Sequence, residues 1–201
     1  MLPCPFLMNA YLLAGGRSQR MGRPKADMPF GGSTFARIAI ETARAVFSYV
    51  YAVQRAGGDA LDGVETIFEP PHADAAPAFA VARAIEHAGE PCFVMAIDYP
   101  LITSDVLRTL RDDFFRSRAP MLVPIWRGRP QMLCAGYSAE MLPLIRARIE
   151  SKRFDLRGLI DEAGAEVIAE DVLRARFEGE PLMNVNTPAE LEEAESLYAR
   201  S

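Results

Sequence analysis

Thiols and imidazoles are scarce in this 201-residue chain: Cys4, Cys92 and Cys134 are its cysteines, His72 and His87 its histidines. No C-x-x-C pair occurs, which argues against a structural zinc site. An odd, sparse set of thiols fits a reducing compartment and no disulfide framework. Long hydrophobic runs are missing too; none approaches the ~20 residues that cross a bilayer. Residues 1 to 8 are apolar, but they lack a basic leading region and pass straight into the first strand, so they do not read as a signal peptide. A cytoplasmic location without membrane contact is expected. An excess of positive charge is also absent. With 22 Lys and Arg against 27 Asp and Glu, the net charge is −5, and general affinity for nucleic acid is not expected.

What is present is the balance of an ordinary globular protein, 50% hydrophobic and 24% charged, at a length that fits one domain over residues 1–201. Strand-like runs at 9–13, 49–53, 64–68 and 92–97 alternate with helical patterns at 35–46, 77–88 and 104–117. Ser33 or Thr34 is placed to cap the first of those helices. Met121–Ile125 and Met132–Tyr137 read as further strands around Arg127-Gly128-Arg129-Pro130, and Val167–Ala169 as a short one. Helices are expected over 138–149 and 156–163. The last helix carries its own start signal, with Thr187 as N-cap, Pro188 at the first position and Glu190 completing a capping box. Such alternation predicts an α/β three-layer sandwich of Rossmann-like type with a mostly parallel sheet. The stretch 120–137 is the place for an antiparallel strand.

Leu12 to Lys25, LLAGGRSQRMGRPK, is the most informative stretch. A short apolar strand ends in Gly15-Gly16, where a ligand can approach backbone without meeting a Cβ. Amides of such a turn can cradle phosphate oxygens. Arg17, Arg20, Arg23 and Lys25 then concentrate four cations within nine residues of an acidic protein, which suits a small anionic ligand. Two familiar phosphate motifs do not fit. Pro24-Lys25-Ala26 has no hydroxyl after the lysine, and Gly15, Gly16 and Gly22 miss the G-x-G-x-x-G spacing. A surface loop that is merely basic and Gly-rich is the bland alternative.

In open α/β sheets ligands bind beyond the carboxyl ends of strands. Ala14 to Lys25 follows the first strand, and Asp98 follows the most continuously apolar one, Cys92–Ile97. A lone carboxylate there suits Mg²⁺, which commonly takes one or two carboxylates plus substrate phosphates. The bland readings are a turn residue before Pro100 for Asp98 and a solvated lysine for Lys25.

Leu13-x-Gly15-Gly16-x-x-x-Arg20-Met21-Gly22-x-x-Lys25 resembles the signature of the molybdenum cofactor guanylyltransferase family, the molybdopterin-guanine dinucleotide biosynthesis protein A type. Three more stretches are similar to that family, in the same order. They are Ala96-Ile97-Asp98-Tyr99-Pro100, then Gly128-Arg129-Pro130-Gln131 with Leu133-Cys134-Ala135, and Met183-Asn184-Val185-Asn186-Thr187-Pro188. The resemblance spans Leu12 to Leu191 and implies a fold of the nucleotide-diphospho-sugar transferase type. By resemblance, Leu13, Ala14, Gly15 and Gly16 line the nucleotide site, Lys25 reaches the phosphates and Asp98 holds Mg²⁺, with Mn²⁺ an alternative. Asn184 and Asn186 face the site, unless they only stabilise the turn before the last helix. Arg20 touches phosphate or braces its loop. Gln54 stands near an asparagine the family uses for nucleotide, and Glu69 stands where members carry an aspartate that can read guanine.

Departures from the family pattern are Ala76-Pro77-Ala78 for G-P-L, Pro24 for an aspartate and Met132 for a second proline. They bear on base specificity more than on phosphate chemistry. The implied reaction takes GTP and molybdopterin, or molybdenum cofactor, to the guanine dinucleotide and pyrophosphate. Transient contact with cofactor-delivery proteins is compatible with it. Rivals are a cytidylyltransferase on the same pterin, a sugar-phosphate nucleotidyltransferase, and a nucleotide-binding regulatory protein without turnover.

Overall fold

The computed structural model describes residues 8–15, 24–74 and 76–200. Its main sheet begins with β1 (Asn9–Leu13), β4 (Val50–Gln54), β5 (Glu65–Phe68) and β6 (Cys92–Ala96). It is completed by β7 (Met121–Trp126), β8 (Arg129–Pro130), β9 (Cys134–Tyr137) and β10 (Glu166–Ile168). Between β1 and β4, β2 (Pro29–Phe30) and β3 (Ser33–Thr34) form a two-stranded hairpin of their own. The strand order is β10-β7-β9-β6-β1-β4-β5, with β8 paired to β7. Pairings of β1 with β4 and β6, of β4 with β5 and of β7 with β10 are parallel, whereas β9 runs antiparallel to both β6 and β7. The sheet is thus mostly parallel and mixed, as expected, with its antiparallel strands, β8 and β9, within the 120–137 stretch.

Helices cover both faces. α1 (Phe35–Arg44), α3 (Ser104–Ser117) and the short α6 (Glu170–Arg174) share one core with Ala10 and Leu12 of β1 and Phe93 and Met95 of β6. On the other face α2 (Pro77–Ala88), α4 (Met141–Glu150) and α5 (Leu159–Ala163) pack on Tyr11, Leu13, Cys92 and Val94. Alternate side chains of a strand point to opposite faces, so a strand covered twice must be apolar throughout. Every residue of β6 is buried. A third core joins the β2–β3 hairpin to α7 (Pro188–Tyr198) through Phe30, Phe35, Val185 and Ala194.

Several local expectations shift. Thr34, not Ser33, caps α1, accepting from the Arg37 amide at 3.3 Å. The Gly31-Gly32 turn closes the β2–β3 hairpin, and both glycines have positive φ, 56° and 78°. α4 begins at Met141 rather than Ser138, and β9 at Cys134 rather than Met132. The last helix has the complete capping box on Thr187 and Glu190. Among the described residues no helix is long and apolar enough to cross a membrane.

Candidate active site

The chain runs from β1 through β4 to β5 on one side, then crosses to place β6 on the other side of β1. A crevice opens at such a reversal, beyond the carboxyl ends of the two strands. Here it is a cleft of about 400 Å³ lined by Leu13, Ala14, Gly15, Lys25, Arg55, Glu69, Asp74, Ala96, Asp98, Leu133 and Asn186, among others. The backbone defines its floor: the Ala14 amide donates to Val53 O at 3.0 Å and the Ile97 amide to Leu13 O at 3.3 Å.

Three segments far apart in sequence meet there. The Lys25 ammonium donates to Asp98 Oδ2 at 2.6 Å and to Asn186 Oδ1 at 2.7 Å. Lys25 opens a single 3-10 turn, Lys25–Asp27, closed by the Met28 amide on Lys25 O at 3.2 Å. Asn186 is brought in by a stitch on its neighbour, because the Val185 amide donates to Asp98 O at 2.9 Å. The Glu190 carboxylate then accepts from the amides of Asn186 and Thr187, at 2.7 and 2.9 Å.

Asp98 is 8% exposed, and its Oδ1 is buried without a hydrogen-bond partner among the described residues. A buried carboxylate oxygen costs free energy when unpaired. A hard cation is a fitting partner, since Mg²⁺ takes oxygen ligands and needs few from the protein when phosphates supply others. The Asp98 carboxylate and the Asn186 carbonyl are donors of that kind. No three His, Cys, Asp or Glu side chains converge among the described residues, so a metal cage built wholly from such groups is not found there.

Across the cleft Glu69 is 6% exposed. Burial raises its pKa, and the nearby Arg55 charge pulls partly the other way. Arg55 was not singled out from sequence. It follows Gln54 at the carboxyl end of a parallel strand, a position that could have pointed to it, and its guanidinium donates to Ala73 O at 3.2 Å. Gln54 borders an adjoining hollow shared with Lys25 and Arg55 rather than the main cleft. A Cβ on Gly15 would stand 3.0 Å from Arg55 Cγ and 3.2 Å from Gln54 Oε1, so any larger residue would press on these side chains. Asn184 is exposed and does not line the cleft. Gly16 and Arg20, with Arg17, Gly22 and Arg23, lie outside the described residues.

The Gly128–Gln131 stretch acts from behind. Gln131 is 8% exposed; its Oε1 accepts from Tyr99 Oη at 2.9 Å, and its amide nitrogen donates to Trp126 O and Arg129 O at 3.1 and 3.0 Å. Burial first, and the Asp98 charge second, hold the Tyr99 phenol well above its usual pKa, so it stays a donor. The residue after Asp98 is therefore tied to the turn between β7 and β9. The Ala96 amide also donates to Leu133 O, at 2.7 Å. Cys92 and Cys134 are buried, and desolvation raises both thiols, Cys92 to about 12, which leaves them inert.

The site thus combines a mixed α/β sheet, a crevice at the β1/β6 reversal and a lysine–aspartate–asparagine cluster. The model of the MobA-like NTP transferase domain matches residues 10–167, and the chain belongs to that family. It is 30% identical over 193 residues to the "Probable molybdenum cofactor guanylyltransferase" of Mycobacterium tuberculosis, covering 90% of this chain and 89% of that protein. The protein of the same name from Mycobacterium avium is 27% identical over 186 residues, with 90% and 91% covered. Among solved structures, molybdopterin-guanine dinucleotide biosynthesis protein A from Archaeoglobus fulgidus superposes with a TM-score of 0.81 at 22% identity, over 96% of this chain and 100% of that one. The 2-C-methyl-D-erythritol 4-phosphate cytidylyltransferase from Thermus thermophilus gives 0.69 at 19% identity, over 97% and 100%. Both likenesses concern the fold.

Proposed function

We propose that this protein transfers GMP from GTP to the terminal phosphate of molybdopterin, or molybdenum cofactor, yielding the guanine dinucleotide and pyrophosphate. The observation that carries the reading is the meeting of Lys25, Asp98 and Asn186 within 2.7 Å at one end of the cleft, with the buried Glu69 in the same cleft. The names of the mycobacterial relatives support the choice of guanine and of the pterin.

Leu13, Ala14 and Gly15 offer backbone and a close-packed edge to the nucleotide. Lys25 binds the phosphates, and Gln54 meets the nucleotide from the adjoining hollow that it shares with Lys25. Asp98 would hold Mg²⁺ or Mn²⁺, with Asn186 beside it for the metal or the acceptor. Bound there, the cation offsets the repulsion between the two anionic reactants. Glu69 is desolvated and faces the cleft; guanine N1–H and its 2-amino group are two adjacent donors that would replace the water it has lost. A site built on such bonds rejects bases that leave its polar groups unpaired. A phosphate monoester is already largely dianionic near pH 7, its second pKa being about 6. The acceptor therefore needs no strong general base, and alignment with charge neutralisation supplies most of the rate. Arg20 remains a proposed phosphate or loop contact, and Gly16 a proposed lining residue. A cytoplasmic setting and transient contact with cofactor-delivery proteins complete the proposal.

The test is incubation with molybdopterin, Mg²⁺ and each of the four NTPs in turn, with products identified by mass. Guanine dinucleotide formed from GTP alone is the expected result. A cytosine dinucleotide, transfer only to a sugar phosphate, or binding without pyrophosphate release would each replace this reading by one of its rivals.

A further inference from the structure

Lys25 occupies one Asp98 oxygen and the Asn186 carbonyl, two of the three oxygens that a cation at Asp98 would share. Its ammonium sits 2.6 Å from Asp98 Oδ2 and 2.7 Å from Asn186 Oδ1. The remaining carboxylate oxygen, Oδ1, is buried and unpartnered among the described residues. Asp98 is paired with a cation the chain itself carries. A divalent ion entering here would meet a positive charge already bonded to its ligands, and like charges at such range repel strongly when shielded from water.

The lysine has somewhere else to go. Its backbone is held by the 3-10 turn, with the Met28 amide on Lys25 O, while its four-carbon side chain ends in a compact, mobile charge. Lys25 borders both the main cleft and the adjoining hollow beside Ala14 and Gln54. A triphosphate in the cleft offers this ammonium more negative charge than one carboxylate does.

We propose that Lys25 and the divalent cation compete for Asp98 and Asn186, so that the nucleotide opens the metal position by drawing the ammonium onto its phosphates. Lys25 then has two successive roles, internal substitute for the metal before binding and phosphate ligand after it. The consequence is a metal site that is weak in the free protein and strengthened by nucleotide. This inference rests on the reading of Asp98 as the metal carboxylate.

The experiment uses Mn²⁺ as probe, with free Mn²⁺ followed by electron paramagnetic resonance at pH 7.5 and no nucleotide present. Wild type, Lys25→Met, Lys25→Gln and Asp98→Asn are compared after circular dichroism has verified their folding. The two Lys25 variants are expected to bind Mn²⁺ at least tenfold more tightly than wild type, and the double variant of Lys25→Gln with Asp98→Asn to lose that gain. A second arm needs only folded wild type: the ¹³Cε signal of Lys25 is expected to shift when GTP is added without metal. Folded Lys25 variants that bind Mn²⁺ no more tightly than wild type, while Asp98→Asn weakens binding, would overturn the competition and leave the metal assignment standing. Mn²⁺ binding unchanged by Asp98→Asn in every background would overturn both. A Lys25 signal indifferent to GTP also overturns the exchange.

Discussion

Glu69 shows how one buried carboxylate divides stability from function. Its folded pKa lies above the ordinary 4.5, chiefly because burial penalises the charge. Between 4.5 and the raised value the folded chain keeps a proton that the unfolded chain has lost, so stability falls as pH rises through that window. Glu69→Gln removes the loss. Its melting temperature should exceed wild type at pH 7.5 and match wild type at pH 4. Thermal melts at the two pH values check this; equal melting at pH 7.5 would show that the charge is not penalised. The same variant should lose preference for GTP over ITP. Lys25 behaves differently: Lys25→Ala should lower kcat/KM for GTP by about a hundredfold or more, the usual scale for a placed charge on a transferring phosphoryl group. Lys25→Arg should rescue poorly, because a planar guanidinium cannot adopt the bonds of a compact ammonium. Steady-state kinetics of pyrophosphate release decide the matter.

At the scale of single elements, the start of α7 is also part of the site. Glu190 closes the capping box and holds the Asn186 amide at 2.7 Å. Glu190→Ala should destabilise by about 1 kcal/mol, the common cost of a lost cap. It should also raise KM for metal or acceptor as Asn186 loosens, whereas a purely structural cap would move only the urea midpoint. The β7–β9 turn is held by Gln131 in a similar way. Gln131→Leu leaves Tyr99 Oη and two backbone carbonyls without their partner. A buried group so orphaned costs about 1–3 kcal/mol, which urea titration can measure.

For the molecule as a whole, α7 is the cover of the hairpin that follows Lys25. Ala194 packs with Phe30, Phe35 and Val185 in one small core. Removing residues 188–201 keeps Lys25, Asp98 and Asn186 but uncovers that core. The truncated protein should unfold at lower urea and lose activity disproportionately to its folded fraction, since two supports of the cluster would go together. Activity that tracks the folded fraction alone would separate the C-terminal helix from the site.

The sequence by itself determined the α/β layering, because doubly covered strands such as Cys92–Ala96 must be apolar at every position and capped helices announce their ends. It also set the clustered cations after the first strand and the lone carboxylate after β6, both of which follow from residue type and strand end. Tertiary structure decided which distant residues meet. Lys25 and Asn186 are 161 positions apart, and the Val185–Asp98 backbone bond and the Glu190 cap hold Asn186 where Lys25 meets Asp98. Arg55 entered the cleft and Asn184 stayed in solvent for the same reason. Local pattern specifies the element a residue belongs to, but neighbours across the cleft are chosen by how the chain crosses the sheet, and sequence spacing carries no record of that crossing.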